Sequence, residues 1–355
     1  MPAPVNSTPV NSAAVNATTA DFVLVSARAP TGSPAALRHG VLLDSDTLHP
    51  ADLDLSALQA SLPRWQLFTQ TSPAQLAERL ADADVVVSNK VRLDAAALAA
   101  APHLRLIAVA ATGTNNVDLA AAATRGITVC NCQNYGSESV AQHTLNLMLM
   151  LATQAHRYSH DVETGVWSNQ PQFCLLNRPI VTLAGKTLLL VGHGHIGQRV
   201  AELARAFGMR VQIAQLPWRP AEPGRVPFET ALASADIVSL HCPQTEETTQ
   251  LINAERLARM KTGSWLINVA RGGLIDEQAL LHALQHGPLA AAALDVLSIE
   301  PPPASHPLLA AKLDNLLLTP HTAWAAQSAR QTLLDQVTEN ILAFQRGAPT
   351  RVIRG

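Results

Sequence analysis

The sequence predicts an α/β fold built from two doubly wound parallel-sheet domains, and three observations carry that reading. Short apolar runs alternate with Ala/Leu-rich helical stretches from residue 40 onward, in two successive series. Such alternation belongs to parallel sheets with helices on both faces. Within the second series, the stretch VGHGHIG at residues 191–197 stands between an apolar run and a helical pattern. The length, 355 residues with 48% hydrophobic and 15% charged, provides for two domains with sizeable cores.

The elements follow in order. The first 38 residues are rich in Ala, Ser, Thr, Asn and Pro and show no helical or strand period, so they read as a disordered tail. They lack the cationic start and apolar centre of a signal peptide. Apolar runs at Val41–Leu43, Val85–Val87, Leu104–Val109 and Ile127–Val129 read as the first set of strands. Val140–Leu151 is apolar nearly all round and reads as a helix buried between the domains. Residues 155–185 carry little regular pattern, and a structureless stretch of that length usually has a purpose. It reads either as an arm on a second subunit or as a substrate lid. The second set of strands is Thr187–Val191, Val211–Ala214, Ile237–Leu240, Trp265–Val269, Ala291–Val296 and Leu316–Leu318.

A glycine pattern alone is weak evidence, so its context decides. Thr187–Val191 is a buried-strand signal, and Val200, Leu203, Ala204 and Phe207 recur at helical spacing before Gly208. Strand, glycine turn and helix occur in the order a dinucleotide-binding unit needs. Gly192 permits a tight exit from the strand, Gly194 lets backbone approach a pyrophosphate, and Gly197 allows the helix to pack close. The unpaired first N–H groups of that helix favour an anion.

Other classes are disfavoured. A net charge of −2 without a basic cluster argues against nucleic acid. No apolar run approaches the ~20 residues that span a bilayer, so no membrane role is expected. Cys130, Cys132, Cys174 and Cys242 show neither zinc-type spacing nor a disulfide framework, which favours a reducing, cytoplasmic setting and no metal.

In open parallel sheets ligands bind beyond the carboxyl ends of the strands. The exits of the second series carry His241-Cys242-Pro243, then Ala270-Arg271, then Asp295 and Glu300, then Pro320-His321. Arg271 can hold carboxylate or carbonyl oxygens bidentately. His321 is a residue type that gives and takes protons near neutrality, and Glu300 can orient it and favour its charged form. These are the groups that reduction of a 2-oxo acid beside a nicotinamide requires.

With these residues in view, the sequence resembles the D-2-hydroxyacid dehydrogenases. VGHGHIG, SLHCPQTEETTQLIN, LINVARGGLIDEQAL, ALDVLSIEPPP and LLTPHTAW carry the likeness, which runs from about residue 40 to the C-terminus. AATGTNNVDL, NYGSESVAQHT and GVWSNQPQFC extend it, the last pointing to the glycerate dehydrogenase or hydroxypyruvate reductase branch. The resemblance implies that Arg271 binds substrate, that Glu300 pairs with His321, and that His321 is the acid/base. It implies that Asp295 bonds the nicotinamide carboxamide and that His195 and Ile196 meet pyrophosphate through backbone. Cys242, Pro243, Thr248, Val269 and Ala270 would line the cofactor cleft. Asn89, Lys90, Thr112 and Gly113 would sit on first-domain loops facing the substrate.

The resemblance also implies a Rossmann-type nucleotide-binding domain, residues 140–321, inserted in a discontinuous flavodoxin-like substrate domain of residues 39–139 and 322–355, and a homodimer. One departure concerns the cofactor. The second strand of an NAD-binding unit usually ends in Asp or Glu, but here Gln215 and Leu216 occupy that region, with Arg219 nearby and no carboxylate before Glu222. Gln215 can still bond a ribose hydroxyl without repelling a 2′-phosphate, so it is a candidate cofactor-binding residue, NAD and NADP are both expected, and Gln215→Asp should disfavour NADPH. Two alternatives share the fold: a nicotinamide-sensing corepressor, and a phosphoglycerate dehydrogenase. For the latter, only residues 322–355 follow His321, too few for the usual regulatory domain.

Overall fold

The computed structural model describes residues 36–353. Most of the expected tail therefore lies outside the described residues. Its last residues do not belong to a tail: Leu37 is buried, and the Arg38 N–H donates to Asp84 Oδ2 at 2.8 Å.

The first sheet comprises β1 (His39–Leu42), β2 (Arg64–Leu67), β3 (Val85–Ser88), β4 (Leu106–Val109) and β5 (Thr128–Cys130). They run parallel in the flavodoxin-like order β2-β1-β3-β4-β5. Strands covered on both faces read as unbroken apolar runs, and β1, β3 and β4 are buried throughout. The second sheet comprises β6 (Thr187–Val191), β7 (Arg210–Gln215), β8 (Val226–Pro227), β9 (Ile237–Leu240), β10 (Trp265–Asn268), β11 (Ala291–Leu294) and β12 (Leu316–Leu318). Its order, β8-β7-β6-β9-β10-β11-β12, is the doubly wound Rossmann order with one further strand. The switch point falls between β6 and β9, beside the glycine turn. Finally β13 (Val352–Ile353) pairs antiparallel with β5, which brings the last described residues onto the first sheet.

The chain also returns to that sheet through the helix Gln327–Gln345, whose Leu333, Leu334, Val337 and Ile341 pack with Leu42, Val87 and Leu106. Each such fully buried side chain is worth about 1.5–3 kcal/mol against exposure. The apolar stretch after residue 140 is a helix, Ser137–Thr153, but it is not buried all round. Val140, Leu147, Met148 and Leu151 join the core around Leu188 and Leu190, while Glu138, Gln142 and Asn146 remain exposed. Its apolar residues outnumber what one face needs, so periodicity overstated its burial.

The segment 155–185 begins with a regular element after all, the helix Ala155–Glu163. Beyond it the chain is irregular and held by an ion pair between Asp161 and Arg178. Trp167, Phe173, Leu176 and Ile180 are exposed there, Phe173 at 90%.

Candidate active site

The glycine turn shows why its positions exclude other residues. At Gly192 the backbone has φ of 103°, and a Cβ would lie 2.5 Å from the carbonyl carbon of His241. A Cβ on Gly197 would lie 2.3 Å from the Gly192 oxygen. Gly194 is different. It is the N-cap of the helix His195–Ala206, without a side-chain cap, and nothing lies within 4 Å of its missing Cβ. The turn thus leaves bare backbone and unpaired helix N–H groups toward open space, a cradle that fits a pyrophosphate. His195 begins that helix, its Nε2 3.4 Å from Asn134 Nδ2, and Ile196 packs on the core beneath.

Facing the turn, the exit of β9 is built from Cys242 and Pro243. Thr248 is buried and its hydroxyl donates to the Pro243 carbonyl at 2.8 Å while accepting from the Thr245 N–H at 2.7 Å. Thr248 therefore shapes this wall. His241, one of the polar strand exits, bonds Ser239 Oγ through Nε2 at 2.8 Å, and desolvation pushes its ring down to about 3. A ring that stays neutral at ordinary pH makes no proton donor.

At the end of β10, Asn268 is fully buried and ties the next turn. Its Nδ2 donates to the Arg271 carbonyl at 2.8 Å and its Oδ1 accepts from the Ala270 N–H at 3.0 Å. Val269 is buried beside it. Arg271 projects from this turn, with Nη1 donating to the Ala270 carbonyl at 2.7 Å. Its Nη2 would lie 3.4 Å from a Cβ on Gly113, so a loop of the first sheet faces the guanidinium directly. Thr112 is held by Asn131, whose Nδ2 donates to the Thr112 carbonyl at 2.7 Å.

His321 follows β12. Its φ of 54° lies in the left-handed region, which a non-glycine residue enters at a cost of about 1–3 kcal/mol, typically where surrounding contacts enforce it. Here they do. The His321 N–H donates to the Asp295 carbonyl at 2.8 Å, and the Trp324 indole N–H donates to the His321 carbonyl at 3.0 Å. The Asp295 carboxylate is itself 1% exposed and accepts from the Thr319 hydroxyl (2.6 Å), the Thr322 N–H (2.9 Å) and the Ala323 N–H (2.9 Å). Burial pushes this carboxyl up, but bonds from His143, Thr319 and the two N–H groups prevail and hold it below the usual range. Asp295 thus clamps the turn that presents His321, occupied with protein donors rather than turned into the cleft.

The ring of His321 meets Glu300: Nδ1 lies 2.6 Å from Oε2. A carboxylate only accepts, so Nδ1 carries the proton and Nε2 is the nitrogen left for the cleft. Burial raises the Glu300 carboxyl, and the bonds from His321 and the Leu297 N–H, with the charges of His321 and Lys90, outweigh that and lower it.

The first sheet contributes Lys90. Asp44, buried after β1, accepts backbone N–H groups from Asn89 (3.0 Å), Lys90 (2.6 Å) and Val91 (3.2 Å). The Asn89 side chain turns back to Thr47 Oγ1 at 3.0 Å. Burial, then the charge of Arg271, push the Lys90 ammonium down, while Glu300 and Asp44 oppose them. Lys90, Arg271, Glu300 and His321 therefore share one electrostatic neighbourhood at the edges of both sheets.

This arrangement has known counterparts. Residues 145–323 match the family model described as the D-isomer specific 2-hydroxyacid dehydrogenase NAD binding domain. The chain is 43% identical to a glycerate dehydrogenase of Methylorubrum extorquens over 282 residues, 79% of this chain and 89% of the relative. The chain belongs to the D-2-hydroxyacid dehydrogenases. A hydroxypyruvate reductase of Blautia hydrogenotrophica is 37% identical over 88% of this chain and 98% of its own. Among solved structures, the TT0316 protein of Thermus thermophilus superposes with a TM-score of 0.76 at 35% identity, covering 89% of this chain and 99% of that one. This D-2-hydroxyacid dehydrogenase is an oxidoreductase with a nicotinamide dinucleotide domain.

The dehydrogenase departs from the sequence expectation at Gln215. Its side chain is spent within the protein: Nε2 donates to the carbonyls of Leu216 (3.1 Å), Arg219 (3.0 Å) and Pro220 (3.0 Å), and Oε1 accepts from the Glu222 N–H at 3.0 Å. Sequence reasoning also passed over Asn268, Asp44 and His143. Asp44 and Asn268 are buried and His143 is half-buried; Asp44 and His143 meet partners distant in sequence, while Asn268 bonds within its own turn.

Proposed function

We propose that this dehydrogenase reduces hydroxypyruvate or glyoxylate, and in reverse oxidises D-glycerate or glycolate. The observation that carries the reading is the 2.6 Å contact of His321 with Glu300, set beside two cationic groups, Arg271 and Lys90. The names of the two relatives described above support the choice of acid. A dihydronicotinamide, when held in the cleft, would supply the hydride for the carbonyl carbon. Arg271 holds the substrate carboxylate and polarises the carbonyl. His321 delivers the Nε2 proton to the carbonyl oxygen, and Glu300 stabilises the ring while it is charged. Lys90 and the backbone at Asn89, Thr112 and Gly113 close the pocket from the first sheet's side.

For the cofactor, Gly192, Gly194, His195, Ile196 and Gly197 would hold the pyrophosphate, and Cys242, Pro243, Thr248, Val269 and Ala270 would line the cleft. Residues 39–139 with 322–355 form the substrate side of that cleft and 140–321 the nucleotide side. The exposed apolar residues Trp167, Phe173, Leu176 and Ile180 support an arm covering a second copy in a homodimer, since isolated chains rarely leave such patches bare. Four free cysteines fit a reducing cytoplasm.

A steady-state panel of hydroxypyruvate, glyoxylate, pyruvate and 3-phosphohydroxypyruvate with both reduced cofactors tests the proposal. Preference for the first two supports it. Turnover of none would favour a nicotinamide-sensing binding protein of the same fold, and preference for the phosphorylated acid would favour a phosphoglycerate dehydrogenase.

A further inference from the structure

Glu277 opens the helix Glu277–His286, directly after its N-cap Asp276. An acid in the first turn of a helix ordinarily complements the helix dipole. The Glu277 carboxylate does something else as well. It reaches across to the loop after β11, where Oε1 accepts the Ser298 N–H at 2.7 Å and Oε2 accepts the Ser298 hydroxyl at 2.5 Å. Oε2 also lies 3.2 Å from Nε2 of His306, at the far end of the same loop. His306 is 5% exposed. One carboxylate therefore grips both ends of the segment 298–306, and that segment carries Glu300.

The grip continues toward the substrate. A Cβ on Gly272 would lie 2.0 Å from the Leu297 carbonyl carbon and 2.3 Å from the Ser298 nitrogen, so the turn that presents Arg271 is in backbone contact with the gripped residues. The Leu297 N–H in turn donates to Glu300 Oε1 at 2.9 Å. Arg271, Gly272, Leu297–Ser298 and Glu300 form a continuous series of contacts, fastened at Ser298 by Glu277.

We infer that Glu277 is a positioning residue for the acid/base pair: it fixes the loop that sets Glu300 on Nδ1 of His321 and keeps that pair in register with Arg271. The inference rests on the reading of Glu300 and His321 as the proton-transferring pair. The Glu277 carboxylate bonds Ser298 and His306 and acts on Glu300 and His321 only through the loop. It acts by holding one geometry of a loop that, without it, leaves the Ser298 N–H and hydroxyl unheld at the surface and the buried His306 imidazole to be satisfied elsewhere, which is unfavourable for a buried polar group. The charged groups facing Glu300 are His321, from the turn after β12, and Lys90, from the first sheet, with Arg271 beside Lys90.

The test compares wild type, Glu277→Ala and Glu277→Asp in pH profiles of 2-oxo acid reduction, with reduced-cofactor affinity followed by nicotinamide fluorescence. Reduction needs a protonated ring, so the rate falls as pH rises, and a loosened Glu300 moves that falling limb to lower pH. Glu277→Ala should show the displaced limb and a kcat lowered by about tenfold, short of the ~10²–10⁴-fold expected on removing the acid itself. Its cofactor affinity should be unchanged. Glu277→Asp, one methylene short of Ser298, should show an intermediate displacement and decides the question if the alanine variant does not fold. A folded variant whose limb stays at the wild-type pH overturns the inference, because a purely structural loss lowers the active fraction without moving the limb. If wild type itself reduces no 2-oxo acid, the underlying reading fails instead.

Discussion

Nδ1 of His321 lies 2.6 Å from Oε2 of Glu300, and the other oxygen of that carboxylate accepts the Leu297 N–H at 2.9 Å. Glu300 is therefore held from two directions. Burial pushes its carboxyl up, and the bond from the imidazole leads the contacts that outweigh this and lower it. Electrostatic coupling is mutual: if the ring favours the carboxylate, the carboxylate favours the charged ring.

Neutralising Glu300 removes that support. In Glu300→Gln the falling, high-pH limb of reduction should move to lower pH, because the ring loses the opposite charge it meets while protonated. The same variant should keep its cofactor affinity. Rate profiles over a pH series read the shift, and an unmoved limb would make Glu300 structural. His321→Ala should lose about 10²–10⁴-fold in turnover at every pH.

Arg271 makes a different demand. Its backbone turn is fixed by the buried Asn268, and Nη1 is engaged by the Ala270 carbonyl, which leaves the Nη2 side facing the loop at Gly113. A lysine keeps the charge but loses the planar fork. Arg271→Lys should therefore lower kcat/KM for the oxo acid by about tenfold to a hundredfold, the worth of one charge-assisted hydrogen bond (~1.5–3 kcal/mol). Normal hydroxypyruvate kinetics in that variant would refute two-point binding.

How much of this was legible beforehand depends on the kind of signal. Buried parallel strands such as Val85–Ser88 and Ile237–Leu240 announce themselves as apolar runs, and their exits located Arg271, Glu300 and His321. The strand Arg64–Leu67 escaped because it lies at the sheet edge, only partly buried, and reads RWQL with no apolar run. The two-residue strands Val226–Pro227 and Val352–Ile353 are too short to carry a period. Within the site, residues that touch a ligand have residue types suited to chemistry. Residues that hold those in place do not: Asp44 acts on a backbone 45 residues away, and Glu277 looks like any helix-opening acid.

The arm offers a test by assembly. Trp167 donates its indole N–H to the Phe173 carbonyl at 3.1 Å, which fixes the irregular segment while Phe173 itself stays 90% exposed. A phenyl ring so placed gains burial only from another molecule. Trp167→Ala combined with Phe173→Ala should shift sedimentation toward the monomer at micromolar concentration and lower Tm as well. An intact dimer in the double variant would assign the segment to a lid.

Cofactor choice turns on the end of β7. Sequence alone suggested that Gln215 bonds a ribose hydroxyl and that Gln215→Asp would simply disfavour NADPH. The structure changes that expectation, because Gln215 Nε2 donates to three carbonyls of the loop 216–220 and Oε1 receives the Glu222 N–H. A carboxylate there would face those three carbonyls with no donor, so Gln215→Asp should loosen the loop and weaken both cofactors. Selection between them then falls to the loop's own charges. Glu222 is paired with Arg225 at 2.7 Å, which mutes both. Arg219 is exposed and makes no ion pair among the described residues. Its charge acts on the Glu247 carboxylate and on Cys242, whose backbone abuts Gly192. With a neutral amide rather than an acid at position 215 and the Arg219 cation nearby, the wild type should accept both cofactors with less than about tenfold discrimination (~1.4 kcal/mol). Arg219→Ala should weaken 2′,5′-ADP in titration calorimetry by several-fold and leave 5′-AMP unchanged. Equal loss for the two nucleotides would mean that Arg219 contacts the shared adenosine, and no loss for either would remove it from cofactor binding.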